Sequence, residues 1–140
     1  MQPLPKPPAP QPEFFVDRSL GRHIVADAIR ALGYVVHAMA DVYPDGEDQR
    51  VADTQWIADA DERGWVVLTK DERITRRADE QAALAASQLR IFALGTQRMT
   101  GPEMAERYAA NINRMVRRSR TQGPFVDIVY PERVERRWPK

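Results

Sequence analysis

The sequence contains no cysteine and has few residues of the kinds that act as nucleophiles. The absence of cysteine excludes disulfide scaffolds, thiolate zinc sites, iron–sulfur clusters and cysteine nucleophiles. Two histidines and three serines are present, and their spacing indicates no Ser-His-Asp triad. The signatures G-x-x-x-x-G-K, G-x-G-x-x-G and G-x-S-x-G are missing too, which argues against the common phosphate-binding loops and the nucleophile elbow.

Long apolar segments are also missing. The longest purely apolar run covers residues 82–86, which is too short to span a membrane, and the first residues do not show the basic-then-apolar pattern expected of a signal peptide. A length of 140 residues suits one domain, and 43% hydrophobic with 29% charged residues is typical of soluble globular proteins. We therefore expect a cytoplasmic protein that does not bind a membrane.

The charges are unevenly distributed along the sequence. Residues 1–70 have a net charge of −4 and residues 71–140 a net charge of +5. A basic half favours a polyanionic partner, although chance could produce the same split. Arginine outnumbers lysine 18 to 3, and the guanidinium group suits bidentate phosphate contacts. A coding bias towards arginine would give the same ratio.

The first twelve residues differ in composition from the rest. They hold six of the eleven prolines, and such a segment lacks the donors and apolar anchors of a packed fold. We expect a disordered arm over residues 1–12 and a single domain over residues 13–140.

Strand and helix patterns alternate through the domain. Strands are expected at residues 14–16, 34–40, 65–68, 89–94 and 125–130, and residues 134–138 should pair with the last of these as a hairpin. Helices are expected after Ser19 and Asp53, over residues 78–87, and after a capping box of Thr100 and Glu103. The alternation predicts an α/β fold, with a mostly parallel sheet and helices on both faces.

Acidic residues follow two of the predicted strands. Asp17 ends the first strand and Asp71 follows the third. Ligands of open parallel sheets bind beyond the carboxyl ends of the strands, and grouped carboxylates suit Mg²⁺ or Mn²⁺. Either residue could instead cap a helix, and for Asp53 capping is an equally good explanation.

Other acids carry weaker expectations. Asp41 ends the predicted second strand and is a further candidate. Asp48 lies in a turn with other acids and should be solvated, and Asp127 should point from its strand into solvent.

Three short motifs occur in a characteristic order. F-x-V-D-R-S-L surrounds Asp17, D-x-x-W-I begins at Asp53, and V-L-T-K-D ends at Asp71. With this order and spacing, residues 13–94 resemble the compact PIN-like domains, in particular the VapC-type toxin group of bacterial toxin–antitoxin pairs. The C-terminal helix and hairpin fit the same group.

The resemblance implies a three-layer α/β sandwich, with a mostly parallel sheet of four or five strands, and a Mg²⁺- or Mn²⁺-dependent ribonuclease. The family's catalytic, metal-binding acids map to Asp17, Asp53 and Asp71. Many PIN domains have a fourth acid, for which Glu72 and Asp79 are candidates that match the family pattern poorly.

The resemblance also implies a substrate and partners. RNA would be cut to leave a 5′-phosphate and a 3′-hydroxyl, and Arg18, Arg22 and Arg73 would neutralise its phosphates. Single-stranded or loop RNA is the expected substrate, and a cognate antitoxin and a homodimer are the expected protein partners. The alternatives are a degenerate PIN-like module that only binds protein or RNA, a receiver-like scaffold, a DNA-directed nuclease and a Toprim-like phosphotransfer fold.

Overall fold

A computed structural model describes residues 10–71, 76–96 and 98–140. The strands are β1 Phe14–Val16, β2 Val36–Ala38, β3 Val66–Thr69, β4 Arg90–Ala93, β5 Phe125–Val129 and β6 Val134–Trp138. The α-helices are α1 Ile24–Ala31, α2 Met39–Val42, α3 Asp53–Arg63, α4 Ala78–Ala85 and α5 Gly101–Ser119. The predicted α/β class is confirmed.

The strands form one sheet in the order β2-β1-β3-β4-β5-β6. The first five are parallel, and β6 pairs antiparallel with β5 as the predicted hairpin. The hairpin brings the sheet to six strands. Since β1 and β3 are neighbours with Val16 opposite Leu68, the residues that follow them meet at the carboxyl edge of the sheet.

Helices cover both faces of the sheet. Alternate side chains of β1 point to opposite sides, with Phe14 in one apolar cluster and Phe15 in the other. The first cluster includes α1 and α5, with Ile29 and Tyr108 fully buried, and the second includes α3 and α4. Strands buried on both faces appear in the sequence as continuous apolar runs, which is why their positions were predictable.

The predicted start of the long helix is confirmed. Thr100 and Glu103 form both hydrogen bonds of the capping box at the start of α5, so this helix begins where the sequence predicted. Gly64 ends α3 with a left-handed φ of 69°. Within the described residues, no helix is long and apolar enough to cross a membrane.

Three acidic residues differ from expectation. Asp41 does not end a strand, because the chain turns into α2 at Met39, and its exposed carboxylate lies 3.6 Å from Arg30. Asp48 is 3% exposed, not solvated. Asp127 is fully buried, because Arg118 and Arg136 each contribute a guanidinium group to its carboxylate, at 2.6 and 2.8 Å.

Candidate functional site

Asp17 lies at the carboxyl end of β1 and is held by two hydroxyl groups. Its Oδ1 accepts hydrogen bonds from the backbone N–H of Ser19, at 3.0 Å, and from the Ser19 hydroxyl. Thr69, the last residue of β3, donates its hydroxyl to Oδ2 at 2.7 Å. Asp17 therefore caps the short 3-10 turn Arg18–Leu20, and it also joins the ends of two neighbouring strands.

The surroundings of Asp17 disfavour its negative charge. The residue is 7% exposed, and burial raises the pKa of its carboxyl to about 6, although the hydrogen bonds from Ser19 and Thr69 oppose this shift. The nearby Asp53 carboxylate raises the pKa further. A carboxylate with neutral donors and an acidic neighbour is stabilised by a cation.

Asp53 is the first residue of α3 and does not cap it. Ala52 occupies the N-cap position, and no side-chain hydrogen bond caps the helix there. The Asp53 Oδ1 instead accepts a hydrogen bond of 2.7 Å from the indole of Trp56. Trp56 is buried against Phe15 of β1, so the indole fixes this carboxylate relative to the sheet.

Asp71 follows β3 on the same edge of the sheet. Its backbone N–H donates to the Thr69 hydroxyl at 3.2 Å, and this hydroxyl in turn donates to Asp17. Its carboxylate Oδ2 lies 3.7 Å from Arg77 Nη2. The three acids predicted from the sequence are thus linked through Thr69 and through Arg77, which also lies 3.4 Å from Asp53 Oδ2.

A fourth carboxylate, Glu80 of α4, was missed by the sequence analysis. It is 6% exposed and lies 3.1 Å from Arg77 Nη1. Burial raises the pKa of Glu80, and a hydrogen bond with the Asp53 carboxyl raises it further. The adjacent Asp79 is exposed, and Glu72 lies outside the described residues.

A sequence signal for Glu80 did exist. Residues four apart share one face of a helix, and Leu84, the buried apolar residue of α4, lies four positions after Glu80. A carboxylate on the buried face of a helix requires a partner, which distinguishes Glu80 from Asp79.

The three arginines predicted to bind phosphate have different surroundings. Arg18 is committed to the protein, since its Nε donates to the Asp48 carbonyl at 2.9 Å and its Nη2 to the Val51 carbonyl at 2.5 Å. These bonds attach the loop before α3 to the site. Arg22 is exposed, and Arg73 lies outside the described residues.

The chemistry of the donor set fits a hard divalent cation. Four carboxylates, those of Asp17, Asp53, Asp71 and Glu80, form a linked cluster, and oxygen atoms are the ligands that Mg²⁺ and Mn²⁺ prefer. Over the described ranges, however, no three acidic or histidine side chains are arranged as a ligand set for an ion. A single guanidinium group, that of Arg77, contacts three of these carboxylates instead.

Comparisons with known proteins agree with this geometry. The family model described as "PIN like domain" matches residues 12–96, which include all four carboxylates of the cluster. A protein of Mycobacterium tuberculosis named "Putative ribonuclease VapC45" is 34% identical over 122 residues, which cover 87% of this chain and 88% of that protein. No solved structure gives a significant match.

Proposed function

The chain belongs to the PIN-like domain family, in its VapC-type group, and we propose that it is a metal-dependent endoribonuclease. Its role would be that of the toxin in a toxin–antitoxin pair, acting in the cytoplasm. The observation that carries the proposal is the carboxylate cluster of Asp17, Asp53, Asp71 and Glu80 at the carboxyl edge of the sheet. The family resemblance and the name of the relative support RNA as the substrate.

In this proposal, the four carboxylates hold one or two Mg²⁺ or Mn²⁺ ions. The chemistry such an ion supplies is activation of a water molecule and stabilisation of charge on the phosphate. Ser19 and Thr69 orient the Asp17 carboxylate through their hydroxyl groups. Trp56 orients the Asp53 carboxylate through its indole N–H.

Hydrolysis would join the water oxygen to phosphorus and break the bond from phosphorus to the 3′ oxygen. The 3′ oxygen leaves as a hydroxyl with a proton from water, and the phosphate stays on the 5′ side of the next nucleotide. Arg22 and Arg73 are proposed to neutralise backbone phosphates of the RNA. Arg18 would contribute positive charge from a fixed position, because two backbone carbonyls hold it.

The substrate class can be tested directly. Purified protein with Mn²⁺ should cut single-stranded RNA, leave DNA of the same sequence intact and produce 5′-phosphate and 3′-hydroxyl ends, which ligase and phosphatase treatment distinguishes. Cleavage of the DNA at an equal rate would contradict the assignment and favour a DNA-directed nuclease.

One observation favours a second candidate, a degenerate module that only binds a protein or RNA. The Arg77 guanidinium already contacts Asp53, Asp71 and Glu80 and offsets part of their negative charge, so the cluster has a cationic partner without an ion. The two candidates differ in the effect of Mn²⁺ on stability, because an ion that binds the folded state raises the melting temperature. An unchanged melting temperature in millimolar Mn²⁺ would favour the degenerate module.

The cognate antitoxin and the homodimer belong to the same proposal. In the described part of the chain, the exposed large apolar side chains lie on α1 and just after it; they are Ile24, Leu32 and Val35. Their exposure supports a protein–protein interface at α1. Co-expression with the product of the neighbouring gene, followed by size-exclusion chromatography with light scattering, tests both partners. Elution as a monomer, with no retained partner, would contradict them.

A further inference from the structure

Lys70 is a lysine at the carboxylate cluster whose charge the protein does not use. It directly follows β3, between Thr69 and Asp71, and its side chain is half-buried. Among the residues that the structure describes, its ammonium group has no hydrogen-bond or ion-pair partner, and only its backbone N–H is bonded. The ammonium group is therefore available to an anion that comes from outside the protein.

Two arginines near the same carboxylates differ from Lys70 in this respect. Arg18 donates to two backbone carbonyls, and Arg77 contacts three carboxylates of the cluster. A guanidinium group offers several donors in a planar fork, whereas an ammonium group is a compact point charge. The arginines hold the protein together at the site, and Lys70 retains a charge with no such task.

The backbone around Lys70 is held by the hydroxyl groups that hold Asp17. The Lys70 N–H donates to the Ser19 hydroxyl at 2.9 Å, and this hydroxyl donates to the Asp17 carboxylate. On the other side, the Asp71 N–H donates to the Thr69 hydroxyl at 3.2 Å, and that hydroxyl also donates to Asp17. The base of the Lys70 side chain is therefore fixed relative to the carboxylates, and only its side-chain torsions have to adjust to a ligand.

A phosphate bound at the carboxylate cluster would lie within reach of this lysine. Consecutive Cα atoms are about 3.8 Å apart, and the flexible four-carbon stem of lysine is longer than this distance. The ammonium group can therefore extend past the Cα of Asp71. A cation placed beside a phosphate is most effective where negative charge increases in the transition state.

We propose that the Lys70 ammonium group contacts a non-bridging oxygen of the scissile RNA phosphate and stabilises the charge that develops there during hydrolysis. This inference rests on the proposed ribonuclease function, and it adds a catalytic residue that is not a metal ligand. The competing role is that of a counterion for the carboxylates, as Arg77 is. Since Lys70 forms no ion pair with a described carboxylate, the phosphate is favoured.

The chain has no cysteine, so the charge at residue 70 can be exchanged chemically. Lys70→Cys is alkylated either with bromoethylamine, which restores an ammonium group on a side chain of similar length, or with iodoacetamide, which leaves a neutral amide. With Mn²⁺ and single-stranded RNA, the neutral adduct should have a kcat about tenfold or more below that of the cationic adduct. The two adducts should bind Mn²⁺ with equal affinity. Lys140→Cys, at an exposed lysine, is the control, and its two adducts should cut RNA at the same rate.

A second readout requires no metal ion. In EDTA, binding of a fluorescein-labelled single-stranded RNA is measured by anisotropy over a range of salt concentrations. The salt slope of the neutral adduct of Lys70→Cys should be smaller than that of the cationic adduct by about 0.7, the value for one lost phosphate contact. Melting curves show whether both adducts are folded. If one of them is not, the comparison is repeated with Lys70→Met and Lys70→Arg, of which the arginine variant should cut faster.

The outcomes separate this inference from the function on which it rests. If the wild-type protein cuts RNA and the two adducts at residue 70 have the same kcat, the role of Lys70 is refuted and the ribonuclease stands. Tighter Mn²⁺ binding by the neutral adduct also refutes this role, because Lys70 would then be a counterion of the carboxylates. A difference between the adducts no larger than that seen at Lys140 refutes it as well. If the wild-type protein cuts no RNA, both proposals fail.

Discussion

Thr69 donates its hydroxyl to the Asp17 carboxylate at 2.7 Å, and this hydrogen bond joins the carboxyl ends of β3 and β1. The bond favours the ionised form of Asp17, because it lowers a pKa that burial raises. Only the ionised carboxylate can bind a cation well. Thr69 therefore acts on the proposed metal site through Asp17, as a positioning residue.

Replacing Thr69 tests this relationship. Thr69→Val keeps the shape of the side chain and removes the donor, so the pKa of Asp17 should rise above about 6. A hydrogen bond to a charged group contributes about 1.5–3 kcal/mol, so Mn²⁺ should bind about tenfold more weakly at pH 6.5. The measurement is isothermal titration calorimetry over a range of pH. Thr69→Ser, which restores a hydroxyl, should bind Mn²⁺ as the wild type does. If Mn²⁺ binding by Thr69→Val depends on pH as it does in the wild type, Thr69 does not act through Asp17.

In the absence of metal, the ionised Asp17 should make the protein less stable at neutral pH than at acidic pH. A carboxyl group with a raised pKa binds its proton more tightly in the folded state, so its contribution to the free energy of unfolding falls as pH rises from about 4 to about 6. A shift of this size corresponds to about 3 kcal/mol. In EDTA, Asp17→Asn should therefore be more stable than the wild type at pH 8, by up to about 3 kcal/mol, and equally stable at pH 4.

Urea unfolding at the two pH values measures this difference. Asp27→Asn is the control, because that carboxylate is exposed on α1 and contacts Arg30. A wild-type protein that is more stable than Asp17→Asn at pH 8 would contradict this prediction, because it would show that the ionised Asp17 increases the free energy of unfolding.

Glu80 and Asp79 form a natural matched pair. They are adjacent on α4, but Glu80 is buried in the cluster and Asp79 is exposed. Glu80→Gln should weaken Mn²⁺ binding and slow RNA cleavage by about tenfold or more, because a buried carboxylate ligand loses its charge. Asp79→Asn should leave both within about twofold of the wild type. The reverse pattern would identify Asp79 as the fourth acid and exclude Glu80.

Arg77 should compete with the metal ion. Its guanidinium group contacts Asp53, Asp71 and Glu80, and the hydrogen bond with Glu80, together with the negative charge of the three carboxylates, raises its own pKa. Arg77→Met should therefore bind Mn²⁺ several-fold more tightly and melt at a lower temperature in EDTA, because like charges repel. Arg50→Met is the control, since Arg50 also contacts a glutamate three residues away. Weaker Mn²⁺ binding by Arg77→Met would mean that the guanidinium supports the ion.

The sequence predicted the parts of the site that depend on the backbone. Asp17 and Asp71 were found because they directly follow apolar strands, and the carboxyl edge of a parallel sheet brings such positions together. Asp53 was found through the family motif. Its contact with Trp56 could not be predicted, because the N-cap pattern explains the same residues.

The remaining features depend on tertiary contacts. Asp127 is the one charged residue in the apolar strand β5 and was expected to point to solvent, yet arginines from α5 and β6 make its burial possible. The spacing of Glu80 and Leu84 indicates that Glu80 is buried, but the contacts of Glu80 and Arg77 with Asp53 depend on packing of α4 against α3, which a local pattern does not reveal. A buried acid is stable only with a partner that is distant in sequence.

The most direct test of the metal-dependent ribonuclease is the initial rate of RNA cleavage as a function of Mn²⁺ concentration, for the wild type and Asp17→Asn. The wild-type rate should rise with Mn²⁺, saturate and fall to background in EDTA, and the Asp17→Asn rate should stay at background throughout. A wild-type rate that is unaffected by EDTA, or an Asp17→Asn protein as active as the wild type, would contradict the proposed site.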